Sequence, residues 1–224
     1  MLTPHPRPLH LGEREGVRGV IMAKKYIAIA GNMGSGKSSL VDFLCREYSF
    51  KPFFEPNDIN PYLADFYKDM KRWAYHSQLH FLTHKFRIHQ ELDRSKDVVV
   101  QDRTIYEDAE IFCTNLCRSG HINKRDYKTY MDLYHTICES IQPPDVMVYL
   151  ECSLRTLRKR IASRGRQMEK NVPDAYLKTL DRLYKRWVSS YKISPIITVS
   201  TEKYDYMDDF ITRQQIVKDL EKYI

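Results

Sequence analysis

The chain has 224 residues, 42% of them hydrophobic, enough for one sizeable domain with a small appendage. Its formal charge of +7 suits polyanionic partners, with ATP and nucleic acid equally admissible. No apolar run approaches the roughly 18 residues of a membrane span, and five scattered cysteines point to reduced thiols in the cytoplasm, not a disulfide framework.

Residues 1–21 carry Pro4, Pro6 and Pro8, three glycines and no helical or strand period. They lack the apolar centre of a secretory signal, and Glu13 and Glu15 argue against a mitochondrial one. The segment reads as a disordered tail or as sequence translated from a start upstream of Met22. The folded domain is then residues 22–224.

Tyr26-Ile27-Ala28-Ile29-Ala30 is a short apolar run that predicts a buried parallel strand. Directly after it, Gly31-Asn32-Met33-Gly34-Ser35-Gly36-Lys37-Ser38 completes a G-x-x-x-x-G-K-[ST] loop, with Ser39 adjoining. From Ser38 to Tyr48, Leu40, Val41, Leu44 and Cys45 recur at helical spacing. Strand, glycine loop and helix in this order make a phosphate cradle. The glycines let backbone N–H groups turn inward, and the helix N-terminus adds its positive end. Lys37 is placed to bridge the terminal phosphates and Ser38 to ligate Mg²⁺. The chain binds a nucleoside triphosphate on this reading.

Pro52-Phe53-Phe54-Glu55 predicts a second strand, followed by helical stretches over Pro61–Met70 and Trp73–Ser95. Asp97 to Gln101 reads as a third strand ending at Asp102-Arg103, and helices follow at about Tyr106–Arg118 and Lys124–Ile141. Val146 to Leu150 and Pro195 to Val199 are the fourth and fifth strands. Helices over Leu154–Ser163, Pro173–Tyr191 and Asp208–Ile224 complete the chain. This alternation predicts a three-layer α/β/α fold with a five-stranded parallel sheet and ligands at the carboxyl ends of its strands.

Glu55 ends the second predicted strand and Asp102 the third, so in a parallel sheet with the phosphate loop on the first both carboxylates are expected on the γ-phosphate side. Phosphoryl transfer needs a group that takes the proton of an attacking hydroxyl and a carboxylate that holds hydrated Mg²⁺. Arg155, Arg158, Lys159, Arg160, Arg164 and Arg166 form a basic cluster, and Gly165 breaks its helical regularity. That pattern favours a lid closing on the triphosphate over a solvated face.

Two patterns are decoys. Asn123-Lys124-Arg125-Asp126 matches the guanine-reading N-K-x-D, but it follows a loop and no D-x-x-G accompanies it, so it reads as a helix start. His76, His80 and His84 repeat every four residues on the long helix, with His89 beyond. His76 and His80 sit about 160° around from Gln78, on a solvent or dimer face.

These residues together resemble the deoxyribonucleoside kinase family over Lys24 to Ile224. By that resemblance Glu55, in Glu55-Pro56, contacts the 5′-hydroxyl and Tyr67 the sugar 3′-hydroxyl. Trp73 and Gln78 match W-x-x-x-x-Q, whose amide pairs with the base edge. Lys85 stands on the same helix where many members carry arginine. Asp102-Arg103-Thr104 matches the D/E-R-S/T motif, with Asp108 and Phe112 as base-contacting aspartate and packing phenylalanine. In the lid, Arg160 would stack on adenine, Arg164 and Arg166 would contact phosphates, and Glu169 would reach the sugar. The resemblance implies a helical lid, ATP and Mg²⁺, a deoxynucleoside partner and a homodimer, with no nucleic acid and no membrane.

Gln78 offers an acceptor and two donors, enough for a bidentate pair to a base edge. Asp108 suits a base with an exocyclic amine or ring N–H, which favours purines or cytosine. Glu55 is assigned as base, Asp102 as the Mg²⁺ carboxylate through water, and Arg103 as the group steadying both. The rivals are a thymidylate-type monophosphate kinase and a non-catalytic nucleotide switch. The first needs cations for a second phosphate where this chain offers Glu55 and Tyr67.

Overall fold

Five short strands, apolar through their centres, form the middle of the molecule: β1 (Tyr26–Gly31), β2 (Lys51–Phe53), β3 (Val99–Asp102), β4 (Val146–Glu151) and β5 (Ile196–Ser200). The computed structural model describes residues 24–54, 60–166, 172–202 and 210–223. All neighbouring strands pair in parallel, in the order β2-β3-β1-β4-β5. The chain therefore crosses from β1 to one side and later to the other. A cleft opens at the carboxyl ends where that order reverses.

Side chains alternate across the sheet and sort the helices into two layers. Ile27 and Ile29 of β1 point to the face covered by α1 (Lys37–Tyr48) and α9 (Phe210–Leu220), where Leu40, Val41, Leu44 and Ile216 meet them. Tyr26, Ala28 and Ala30 point the other way. There they meet α3 (Met70–Arg94), α6 (Lys124–Cys138) and α8 (Asp174–Ser190). Burying each large aliphatic side chain contributes about 1.5–3 kcal/mol, so the period-two pattern of β1 fixes its register firmly.

Local chemistry sets most helix starts. Asp69 separates α2 (Leu63–Lys68) from α3, and its carboxylate accepts from Arg72 N at 3.1 Å. Asn123 accepts from Asp126 N at 2.9 Å, so the N-K-x-D pattern is the cap of α6. Ser153 caps α7 (Leu154–Arg164) in the same way.

The stretch read as one helix over Tyr106–Arg118 is subdivided. It runs through α4 (Ile105–Glu107), a π-helical segment (Asp108–Cys113) and α5 (Thr114–Arg118). Wider turns of this kind recur at functional sites, and this one carries Asp108 and Phe112. The second strand ends at Phe53, and its expected last residue, Glu55, lies outside the described residues. Residues 1–21 and Glu169 also lie outside them.

Candidate active site

The phosphate loop is built from the end of β1 and the start of α1. Lys37 donates from its ammonium to the carbonyls of Gly31 at 3.0 Å and Asn32 at 3.1 Å, holding the loop closed on itself. Asn32 ties the loop outward, through Nδ2 to the Leu177 carbonyl of α8 at 3.2 Å. Gly34 has φ +77, and a Cβ there would lie 3.0 Å from the Leu157 carbonyl of α7. Glycine is what lets α7 pack this close to the loop. Gly36 caps α1, whose first turn carries Ser38 and Ser39, while Ser35 of the loop is buried.

Ile29 of β1 pairs with Asp102 of β3, so the third strand delivers its carboxylate beside the loop. The Ser38 hydroxyl donates to Asp102 Oδ2 at 2.5 Å. Asp102 Oδ1 is buried and has no hydrogen-bond partner among the described residues. A hydroxyl next to a carboxylate with an unsatisfied oxygen is a donor set that fits hydrated Mg²⁺.

Arg103 follows in the left-handed region, at φ 60, where a residue with a Cβ stores about 1–3 kcal/mol of strain. Its N–H donates to the Ile29 carbonyl at 3.0 Å, and its guanidinium lies over the Phe112 ring, 4.6 Å from the centroid. That backbone twist turns the side chain into the cleft.

The cleft has a cavity volume of about 80 Å³ and opens to solvent. Met33, Gly34, Lys37 and Ser38 form one end and Asp102 with Arg103 the floor. Leu63, Phe66 and Tyr67 of α2 form one wall, Ser77, Gln78 and Phe81 of α3 another. Asp108 and Phe112 of the π-helical segment close it, and Arg164, Arg166 and Tyr176 come from the lid side. Gly165, at φ 68, ends α7 between the two arginines, which is the break read from the sequence. Gln78 is buried, with Oε1 unpartnered among the described residues.

The structure puts two expected site residues elsewhere. Lys85 does not line the cleft. It is fully buried and donates to the carbonyls of Asp102 and Arg103, because α3 passes directly beneath the β3 turn. It therefore props the strained turn and does not face a base. Lys85→Met should leave both carbonyls unpaired, costing about 1–3 kcal/mol of stability. Because the floor moves, kcat/KM should fall by a similar factor for every deoxynucleoside. A loss confined to one base would restore a base-reading role. Arg160, expected on adenine, donates instead to the Ser35 carbonyl at 3.1 Å and to Thr201 Oγ1 at 3.0 Å, pinning α7 to the loop and to the end of β5.

Sequence reasoning missed Tyr176 and Glu107. Burial pushes the Tyr176 hydroxyl up to about 12, while Arg103 pulls the other way. Glu107 was legible as the fourth residue of a Thr-x-x-Glu capping box, which the structure contains. Burial pushes its pKa above the ordinary carboxylate value, opposed by Arg103, Lys37, the Thr104 N–H and the Tyr184 hydroxyl.

His76, His80 and His84 line a shallow groove on the outer face of α3 with Tyr62, away from the cleft, and no metal cluster occurs among the described residues. His89 differs from them. It is buried against Tyr26, and burial with the nearby Lys85 lowers its pKa to about 4.

Known proteins resemble this chain in sequence and in fold. A deoxyadenosine/deoxycytidine kinase of Bacillus subtilis is 36% identical over 206 residues, covering 91% of this chain and 95% of that protein. A deoxyguanosine kinase of Lactobacillus acidophilus is 36% identical over 201 residues, 85% and 87% of the two chains. Among solved structures, a deoxyadenosine kinase from M. mycoides with the products dCMP and a flexible dCDP bound superposes with a TM-score of 0.77. It is 28% identical, and the match covers 89% of this chain and all of that one. The deoxynucleoside kinase pattern itself matches residues 27–224, spanning sheet, cleft and lid together. The chain belongs to the deoxynucleoside kinase family.

Proposed function

We propose that the cleft takes a deoxynucleoside whose base carries an exocyclic amine and transfers to its 5′-hydroxyl the γ-phosphate of ATP. Deoxyadenosine and deoxyguanosine are the preferred substrates, deoxycytidine follows, and thymidine is poor. The observation that carries this reading is the pairing in one cleft of Asp108 and Gln78, whose Oε1 has no partner among the described residues. Together they present donors and acceptors to a base edge, and an aspartate accepts from an amine that thymine lacks. The named relatives, a deoxyadenosine/deoxycytidine kinase and a deoxyguanosine kinase, support the same set of bases.

The sugar end of the cleft favours a neutral acceptor. Among the described residues, the walls from α2 and α3 bring Tyr67, Ser77, Gln78 and apolar rings, and no cation for an incoming phosphate. That counts against a thymidylate-type kinase. The Gly31–Ser38 loop would cradle the triphosphate, with Lys37 turning from the loop carbonyls to the terminal phosphates. Ser38 and Asp102 would hold Mg²⁺, which supplies charge neutralisation on the phosphates when bound. Arg103, Arg164 and Arg166 face the same space and would steady the charge on the transferring group. Glu55 would take the proton of the 5′-hydroxyl, and Glu169 would reach the sugar. A cytoplasmic homodimer completes the reading. Free thiols at all five cysteines support a reducing compartment.

Asp108→Ala tests the base assignment. Losing a buried base-edge hydrogen bond costs about 1–3 kcal/mol, so kcat/KM for the preferred substrate should fall roughly 10- to 100-fold. Thymidine should lose much less. An equal loss across all four bases would defeat the assignment.

A further inference from the structure

Glu107 does not itself line the cleft, yet it is the point at which three parts of the site are bonded together. Its carboxylate is fully buried. Oε1 accepts from the Gly31 N–H at 3.2 Å and from the Tyr184 hydroxyl at 2.9 Å. Oε2 accepts from the Thr104 N–H at 2.8 Å and from its hydroxyl at 3.2 Å. Arg103 Nε lies 4.0 Å from Oε1.

A capping role needs the Thr104 contacts alone. The other contacts reach beyond the helix. Gly31 opens the phosphate loop, Thr104 follows the Asp102-Arg103 pair, and Tyr184 belongs to α8. The same α8 carries Tyr176 in the cleft and receives Asn32 of the loop at Leu177. Four donors converge on two oxygens, an arrangement that a carboxylate satisfies and an amide cannot.

We propose that Glu107 is a positioning residue for phosphoryl transfer. Its carboxylate fixes the loop that carries the donor nucleotide relative to Arg103, which faces the acceptor. It acts through Gly31 and Arg103, so its loss should misalign the two substrates without removing a contact to either. Misplacement of this order is enough to cost up to about 10²-fold in rate. The proposal rests on the kinase reading above.

The test uses the full chain, ATP and the best deoxynucleoside, with Glu107→Gln and Tyr184→Phe alone and combined. Glu107→Gln turns one acceptor into a donor facing another donor. It should lower kcat roughly 10- to 100-fold, with KM for ATP and for nucleoside within about threefold of wild type. Tyr184→Phe removes one of the four donors and should lower kcat several-fold. The double variant should lose no more than Glu107→Gln, because both act through one joint.

If Glu107→Gln fails to fold, Tyr184→Phe decides by its own split between kcat and KM. Folded variants with wild-type kcat would overturn the proposal, as would a rise in KM at unchanged kcat. Wild-type protein that phosphorylates no nucleoside would instead overturn the kinase reading, so the two failures are distinct.

Discussion

Replacing Lys37 by alanine is expected to abolish phosphoryl transfer, a loss of about 10³-fold or more. The terminal phosphates lose their principal cation, and losing a single preorganised donor already costs about 10²–10³ in turnover at other sites. The fold should survive. In the free protein the Lys37 ammonium bonds to Gly31 and Asn32 carbonyls of its own loop, while the loop is also held by Asn32 to Leu177. Thermal unfolding should therefore move by only a few degrees while transfer from labelled ATP disappears. Activity within tenfold of wild type would mean that another cation meets the phosphates.

The second large effect separates Glu55 from Asp102. Glu55→Gln should keep nucleoside affinity and lower turnover by roughly 10²-fold or more, the usual scale for a general base. Asp102→Asn should act differently. Asp102 accepts from the Ser38 hydroxyl and presents a second oxygen without a partner among the described residues, so its loss should raise the Mg²⁺ concentration needed for half-maximal rate. Turnover titrated against Mg²⁺ for both variants distinguishes the roles. Near-normal turnover in Glu55→Gln with a dead Asp102→Asn would move the base to Asp102.

The parts of the fold that were legible rest on local signals. Each of β1, β3, β4 and β5 is a short apolar run, and the phosphate loop sits between a strand and a helix of the right spacing. The order of the strands was not readable, because pairing partners depend on which helix covers which face. The π-helical segment was invisible for another reason. Asp108 to Cys113 keeps the composition of an ordinary helix, and one shifted hydrogen-bond register leaves no mark in residue type.

Lys85 and Arg160 show the same limit at the site. Each lies on the expected helix, and each side chain is taken up by carbonyls that only the folded backbone brings near: Asp102 and Arg103 for one, Ser35 and Thr201 for the other. Tyr176 enters the cleft from α8, far along the chain, and no spacing rule connects it to Gln78 or Asp108. Glu107 was within reach through its capping box, but its burial and its bonds to Gly31 and Tyr184 depend on the packing of α8.

The most direct test is transfer of the γ-phosphate from labelled ATP by the wild-type protein, offered deoxyadenosine, deoxyguanosine, deoxycytidine, thymidine and deoxythymidylate in turn. Steady-state kcat/KM should rank a purine deoxynucleoside first and deoxycytidine next, with thymidine far below and deoxythymidylate inert, and the product should be the 5′-monophosphate. Preference for thymidine would contradict the roles given to Gln78 and Asp108. Turnover of deoxythymidylate alone would contradict the neutral-acceptor cleft itself.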